Sequence, residues 1–207
     1  ECSSAASDVY KRQGENSSLI ASVRRSYLQL LFEVLGLPFL PIYNDYQYKW
    51  VWRPDDRNAV TVLGLGALDD FELNLDLASD TEAPNYLNQV AILDVLPISE
   101  QWNYMQGVKW DRYMEDGKWT FVLSRNMLNN SAFKHVDNDV DLPRTLDYVS
   151  QEIENKFRAE RYRSLPSGWK VSGGVNAEYA KYNNSTTSVV YVPEVGSVDV
   201  TLSLIHI

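Results

Sequence analysis

The sequence predicts an all-β protein, an antiparallel up-and-down series of strands forming a segment of a transmembrane β-barrel, with long loops at one end. Three observations predict it. Runs alternating apolar and polar residues with period two flank short turn sequences. Tryptophan and tyrosine gather beside those turns. Connections alternate short and long along the chain.

Three turn signals come first, at Arg53-Pro54-Asp55-Asp56-Arg57-Asn58, Glu115-Asp116-Gly117-Lys118 and Leu165-Pro166-Ser167-Gly168. Pro presets φ, Gly accepts positive φ, and Asp, Asn and Ser bond their own backbone, so each string favours a reversal. Into the first turn, Tyr46, Tyr48, Trp50 and Trp52 alternate with Asp45, Gln47, Lys49, Val51 and Arg53. Before the second, Trp102, Tyr104, Val108 and Trp110 oppose Gln101, Asn103, Gly107, Lys109 and Asp111; after it, Trp119, Phe121 and Leu123 oppose Thr120, Ser124 and Asn126. Around the third, Ile153, Phe157 and Ala159 oppose Glu152, Glu154, Lys156, Arg158 and Glu160, and Trp169, Val171, Val175, Ala177 and Tyr179 oppose Lys170, Ser172, Asn176 and Glu178. Successive strand side chains point to opposite faces, so each run has one apolar and one polar face.

A soluble sandwich and a membrane barrel both produce that pattern. Strand length, the aromatic residues at the turns and the short–long alternation favour the barrel. Several runs reach the ~9–11 residues of a membrane strand, whereas soluble strands average nearer five or six. Trp52, Trp119 and Trp169 lie within two residues of the turns, as an aromatic girdle at headgroup level requires. Long outer connections are expected over 67–100, 127–150 and about 183–195. The first is expected to hold a short helix capped by Thr81 and stopped by Pro97. Leu31 to Pro41 reads as an apolar connection whose prolines prevent continuous strand.

Composition narrows the function classes. The chain has 207 residues, a net charge of −9 and a pI of about 4.7, which argues against a nucleic-acid partner because no basic face is available to displace counterions from phosphates. No run approaches the ~20 apolar residues of a membrane helix. A lone cysteine, Cys2, and two distant histidines, His135 and His206, predict no disulfide framework, no His- or Cys-based metal centre and no cofactor. Residues 3–13 (SSAASDVYKRQ) and 202–207 (LSLIHI) resemble translated sequencing-adapter sequence, so 1–13 and 202–207 are set aside from 14–201. With the start so interpreted, lack of a signal peptide says nothing about localisation.

Several strings in order then resemble one family. RRSYLQLLFEVLGLPFLPIYNDYQYK (24–49), TVLGLGALDDFELNLD (61–76), EQWNYMQGVKW (100–110), TFVLSRNMLNN (120–130), SQEIENKFRAE (150–160) and GWKVSGGVNAEYAKYNN (168–184) are similar to the barrel of TonB-dependent receptors, in the subgroup with a carboxypeptidase-regulatory-like N-terminal domain. The resemblance covers roughly 15–200. It implies a plugged barrel of ~22 strands in the outer membrane of a Gram-negative cell, of which this chain supplies about seven or eight. It also implies energised uptake of a scarce nutrient, such as a siderophore, cobalamin or a glycan. The partners implied are outer-membrane lipid, a plug domain and TonB, the last two through a TonB box and plug N-terminal to this piece. The competing reading is a soluble or surface-anchored β-rich module that binds glycans and closes its apolar faces into a core.

The residues that carry chemistry follow from the two faces. Tyr46, Tyr48, Trp50, Trp52, Trp110, Trp119 and Trp169 are expected to face lipid or form the girdle; the ladder 46–52 has a second reading as a sugar-stacking platform. Glu152, Glu154, Lys156, Arg158 and Glu160, with Lys109 and Asp111, are expected to face the lumen. There they touch substrate or plug, or form a hydrated wall held by cross-strand ion pairs. Arg24 and Arg25 must face opposite ways. Asp69, Asp70, Glu72 and Asp76 are read as a solvated outer-loop face before a calcium or carboxylate-pair site, since they lack calcium-loop spacing, and Asp137, Asn138, Asp139 and Asp141 are read the same way, as the better of the two for calcium. Ser124 and His135 lack a GxSxG elbow and a positioned acid, so no catalytic residue is expected.

Overall fold

A computed structural model describes residues 5–79, 81–192 and 196–206. Among them, nine strands form one antiparallel sheet in sequence order, each paired with its chain neighbours. They are β1 (Ala5–Gln13), β2 (Ser17–Ser26), β3 (Phe39–Asp55), β4 (Asn58–Leu73), β5 (Ile98–Met114), β6 (Gly117–His135), β7 (Arg144–Ser164), β8 (Lys170–Val192) and β9 (Gly196–His206). The up-and-down all-β expectation holds. The sheet is not closed: β1 and β9 stand at its two edges.

All three expected turns reverse the chain. Asp56-Arg57 joins β3 to β4, Glu115-Asp116 joins β5 to β6, and 165–169 joins β7 to β8. Asp55 Oδ1 accepts the Arg57 N–H at 2.8 Å, the Asx bond its turn chemistry predicts. At Gly117, φ is 153°, and a Cβ would stand 2.0 Å from the Tyr162 carbonyl oxygen, so only glycine fits this end of the hairpin. A further short turn at 14–16 joins β1 to β2. These four lie at one end of the sheet. The connections at the other end include 27–38, 74–97 and 136–143.

The strands outrun the sequence expectation. Residues 68–73 belong to β4, 129–135 to β6, 144–149 to β7 and 183–192 to β8, all inside stretches expected as outer loops. Their Asn, Asp, Ser and Thr side chains favour loops locally. Here polar cross-strand pairs override that preference. Gln151 Nε2 donates to Asn129 Oδ1 at 3.0 Å, and the Thr187 and Thr201 hydroxyls meet at 2.9 Å. The two segments set aside at the ends also pair in register: Ala5–Gln13 with β2, and Leu202–His206 with β8.

The stretch expected as an apolar connection over 31–41 divides. Leu28–Val34 form α1, which ends in a Schellman motif: the Leu37 N–H reaches the Phe32 carbonyl and the Gly36 N–H that of Glu33, both at 3.0 Å, with Gly36 at φ 64°. Pro41 lies inside β3, opposite Phe71. It is tolerated because β2 pairs with β3 only as far as Asn44, so Pro41 needs no donor on that side. The expected second helix is α2, Tyr86–Val95, stopped before Pro97. Its N-cap is Asn85, not Thr81, because Ala83 precedes Pro84 and is pushed out of the α region. The outer connections pack on one another: Gln89 Nε2 donates to the Gly36 carbonyl at 3.1 Å and Asn138 Nδ2 to that of Leu93 at 3.3 Å; beside them, Phe39 of β3 stacks on Phe71 of β4 at 5.0 Å.

The sheet has almost no core. Among the described residues, only Ala59 (7 % exposed) and Leu93 (1 %) are buried hydrophobics. The chain exposes 14390 Å² for 23.7 kDa. A closed globular monomer of that mass exposes roughly 9,800 Å².

Candidate functional site

Register sorts the side chains into two faces. Trp52 lies opposite Val60, Val60 opposite Trp110, and Trp110 opposite Phe121. The next row runs Trp50, Val62, Val108, Leu123 and Phe157. Tyr46, Tyr48 and Trp119 share this face by parity. Trp50, Trp52 and Trp110 are exposed, with Val108, Leu123, Phe157 and Val175 between and beside them. The rings form parallel pairs: Trp50–Trp52 at 6.0 Å, Trp110–Phe121 at 5.4 Å and Trp119–Phe121 at 5.8 Å. Trp169 precedes β8 within the 165–169 turn and is 73 % exposed.

A second aromatic level, missed in the sequence, lies toward the outer connections. Trp102 and Tyr104 stack at 6.3 Å, and Tyr46 aligns with Tyr104 through Gly66. From Trp110 to Trp102 is eight strand steps, ~27 Å along the chain. Tilted as barrel strands are, that rises about 20 Å, close to the ~25 Å of an outer-membrane apolar band. Cations interrupt this face, Lys181 in the row of Tyr104 and Arg125 midway between the two aromatic levels. Arg125 donates from Nε to the Tyr104 hydroxyl at 2.9 Å and from Nη1 to Asn155 Oδ1 at 3.2 Å.

The other face gathers all seven residues expected there. Lys109, Val122 and Arg158 form one row; Asp111, Thr120 and Glu160 the next; Ser124, Lys156 and Glu178 another; and Glu152 and Glu154 follow on β7. Their ion pairs run across strands, as expected, and also along them. Lys109–Asp111 (2.7 Å), Lys156–Glu154 (2.9 Å) and Arg158–Glu160 join residues two apart on one strand, which share a face. Cross-strand partners are more distant, Lys118–Asp111 at 3.7 Å and Lys156–Glu178 at 3.6 Å. Asp111 is only 4 % exposed and also accepts the Thr120 hydroxyl at 2.6 Å. Strand parity plus the Glu115-Asp116 turn would have brought Thr120 opposite Asp111 from sequence alone. A hollow of about 630 Å³ on this face is walled by β3, β4, β5 and β6.

The rest disperse. Arg24 joins this polar face and pairs with Asp45 at 2.9 Å, while Arg25 lies opposite Asn44 on the aromatic face. Asp69 and Asp70 point to opposite faces of β4 and cannot act on one substrate as a pair. Among the described residues, no three His, Cys, Asp or Glu side chains are grouped to hold a metal. Ser124 is mid-strand, eleven steps and ~36 Å along β6 from His135, whose Nδ1 meets the Leu142 carbonyl at 2.7 Å.

At the short-turn rim, Asp116 binds Arg161 Nη2 at 2.7 Å and Arg163 Nε at 2.6 Å. The hydrogen bond from Arg161, with the charge of Arg163, holds its carboxyl below the usual range. Arg161 also lies 5.7 Å over the Trp119 ring. Compared with known proteins, the chain matches no family model, no curated protein and no solved structure.

Proposed function

We propose that the chain is a wall segment of an outer-membrane β-barrel of the TonB-dependent receptor type, serving energised uptake of a scarce nutrient. One observation carries the barrel reading: a broad sheet with an aromatic face that no other layer covers and almost no core among the described residues. In water, burial of apolar surface must offset the entropy of ordering the chain, and two buried hydrophobics cannot supply that. Lipid against the aromatic face would. The polar, ion-paired opposite face suits a hydrated barrel interior that meets a plug, and the short turns at one end with longer connections at the other suit a periplasmic and an outer rim. The resemblance of the strings in 24–184 to TonB-dependent receptors supplies the transport function, with TonB and a plug as partners. The competing soluble glycan-binding module requires a closed core, which the described residues lack.

The test is the flanking sequence on the source DNA. An upstream plug domain and TonB box, with further alternating strands downstream, is the expected result. A complete short reading frame ending near residue 207 with no barrel continuation overturns the proposal. In solution, the chain is expected to aggregate in water and disperse in detergent. A monodisperse folded monomer in plain buffer would count against the membrane reading.

A further inference from the structure

We propose that α2 is a detachable cover over the outer mouth of the barrel interior and that Lys134 is the latch that keeps it folded there; the mouth itself rests on the barrel reading. Both outer helices lie on the polar side of the sheet, at the end remote from the short turns. Lys134 shares the parity of Thr120 and Ser124 on β6, and its Nζ donates to the Leu93 carbonyl of α2 and to Asn138 Oδ1. Phe39, with the parity of Lys49 on β3, meets Phe32 of α1 edge-on at 5.3 Å. Asn74 Nδ2 donates to the Leu37 carbonyl and Gln89 Nε2 to that of Gly36, each at 3.1 Å, which joins the chain around the two helices into one layer.

α2 is poorly supported by its own sequence. It has ten residues, fewer than the ~12–15 below which an isolated helix is marginal in water. Asn85 makes no side-chain cap bond, no acid stands in the first turn and no base in the last. Asp94 instead places a negative charge at the negative end of the helix dipole. What α2 lacks arrives from a distance. Lys134, 41 residues from Leu93, brings a cation to that end, where it also meets the charge of Asp94. Asn138 Nδ2 donates to the same Leu93 carbonyl at 3.3 Å. Leu93, 1 % exposed, is the buried side chain of α2. Without Lys134 the helix keeps too little to stay folded. It melts and uncovers the mouth, while the strand ladders, which α2 does not enter, persist.

Hydrogen exchange on the full chain in detergent micelles tests this, read separately over 86–95 and over the paired amides of β5 and β6. The parent chain is expected to protect 86–95. Lys134→Met keeps most of the side chain's length and removes its charge and donors. It should speed exchange over 86–95 about ten-fold and leave β5 and β6 unchanged. Lys134→Arg should restore most of the protection, because a cation and donors return. Asn138→Ala, outside the sheet, should give a smaller loss over the same residues, and it decides the matter if Lys134→Met does not fold. Lys156→Met removes a cation from the same face farther from this rim and should change nothing over 86–95. Rapid exchange over 86–95 in the parent, or protection indifferent to Lys134 and Asn138, overturns the inference and leaves the barrel reading standing. Exchange that rises equally over α2, β5 and β6 also overturns it, since Lys134 would then support the sheet and not the cover. A folded monomer without detergent overturns the barrel reading, and with it the mouth that α2 covers.

Discussion

The ring of Tyr48 fills the space that a side chain at Gly64 would need: a Cβ there would stand 2.3 Å from two of its carbons. Tyr46 covers Gly66 in the same way, at 2.6 Å. An aromatic ring thus shields the backbone of a glycine that has no side chain of its own to pack on the sheet. The two sites differ in what could yield. At Gly64 the three nearest atoms all belong to the Tyr48 ring, which can rotate away; at Gly66 the Asn103 carbonyl oxygen is among the three nearest, 2.7 Å from the added carbon, and cannot. Gly66→Ala is therefore expected to destabilise the sheet by about 1–3 kcal/mol, and Gly64→Ala by less. Thermal melts of the β signal in detergent would rank them. In a Tyr48→Ala background the Gly64→Ala penalty should shrink, and equal penalties in both backgrounds would show the ring is not the cause.

Asp116 gives a pH signature at the short-turn rim. Its carboxyl is held below the usual range chiefly by the Arg161 hydrogen bond, so the folded state binds its proton less readily than the unfolded chain. The stabilisation is therefore complete above the ordinary carboxylate pKa, about 3.9, and is lost as pH falls through the lowered value. The Tm difference between the parent chain and Asp116→Asn is expected at pH 7 and should vanish in strong acid. A difference independent of pH would assign the loss to turn geometry rather than to charge.

Much of this arrangement was legible in residue order. Period-two alternation separated Trp50 from Lys49 and Trp110 from Asp111 before any strand was paired, and Asp56-Arg57 and Glu115-Asp116 reverse the chain where their turn chemistry says. What stayed hidden depended on neighbours. Asn129 and Asn183 read as loop residues because their local preference is for turns, and only partners on adjacent strands make them strand. α1 was hidden behind Pro38 and Pro41, since the helix ends at Gly36 before either intervenes. The pairing of Lys109 with Asp111 along one strand was missed because charge pairs were sought across strands. Lys49 and Arg53 were visible as polar positions, but that they form no ion pair among the described residues is a property of the assembled face.

The aromatic face predicts how the tryptophans report on their surroundings. Trp50, Trp52, Trp102, Trp110 and Trp119 share it by register, and Trp169 sits in the turn. A detergent or lipid with brominated chains is expected to quench most of the emission, and aqueous iodide chiefly Trp169. Bromine quenching that spares most of the signal would place these rings away from lipid and favour a water-facing stacking platform.

Arg125 is the cation that such a face should least tolerate. Its bonds to Tyr104 and Asn155 satisfy part of the guanidinium, but an arginine near the bilayer midplane costs about 2–4 kcal/mol. Arg125→Leu is expected to raise stability in lipid by about 1 kcal/mol after the loss of those hydrogen bonds. The measurement is denaturant unfolding in phospholipid vesicles. A clear loss of stability would mean that this part of the face meets water.

Asp111 tests the polar face from the opposite direction. It is nearly buried, and Lys109, Lys118 and Thr120 converge on it from its own strand and the next. Asp111→Ala removes the common acceptor and leaves two ammonium groups facing each other across a hydroxyl. Thr120→Val removes one donor and leaves the ion pairs. The first is expected to cost about 1–3 kcal/mol and the second about 1 kcal/mol. Because both act through the same carboxylate, the double variant should be barely worse than Asp111→Ala alone. Additive losses in a double-mutant cycle would show that Thr120 stabilises the sheet through its strand packing and not through Asp111.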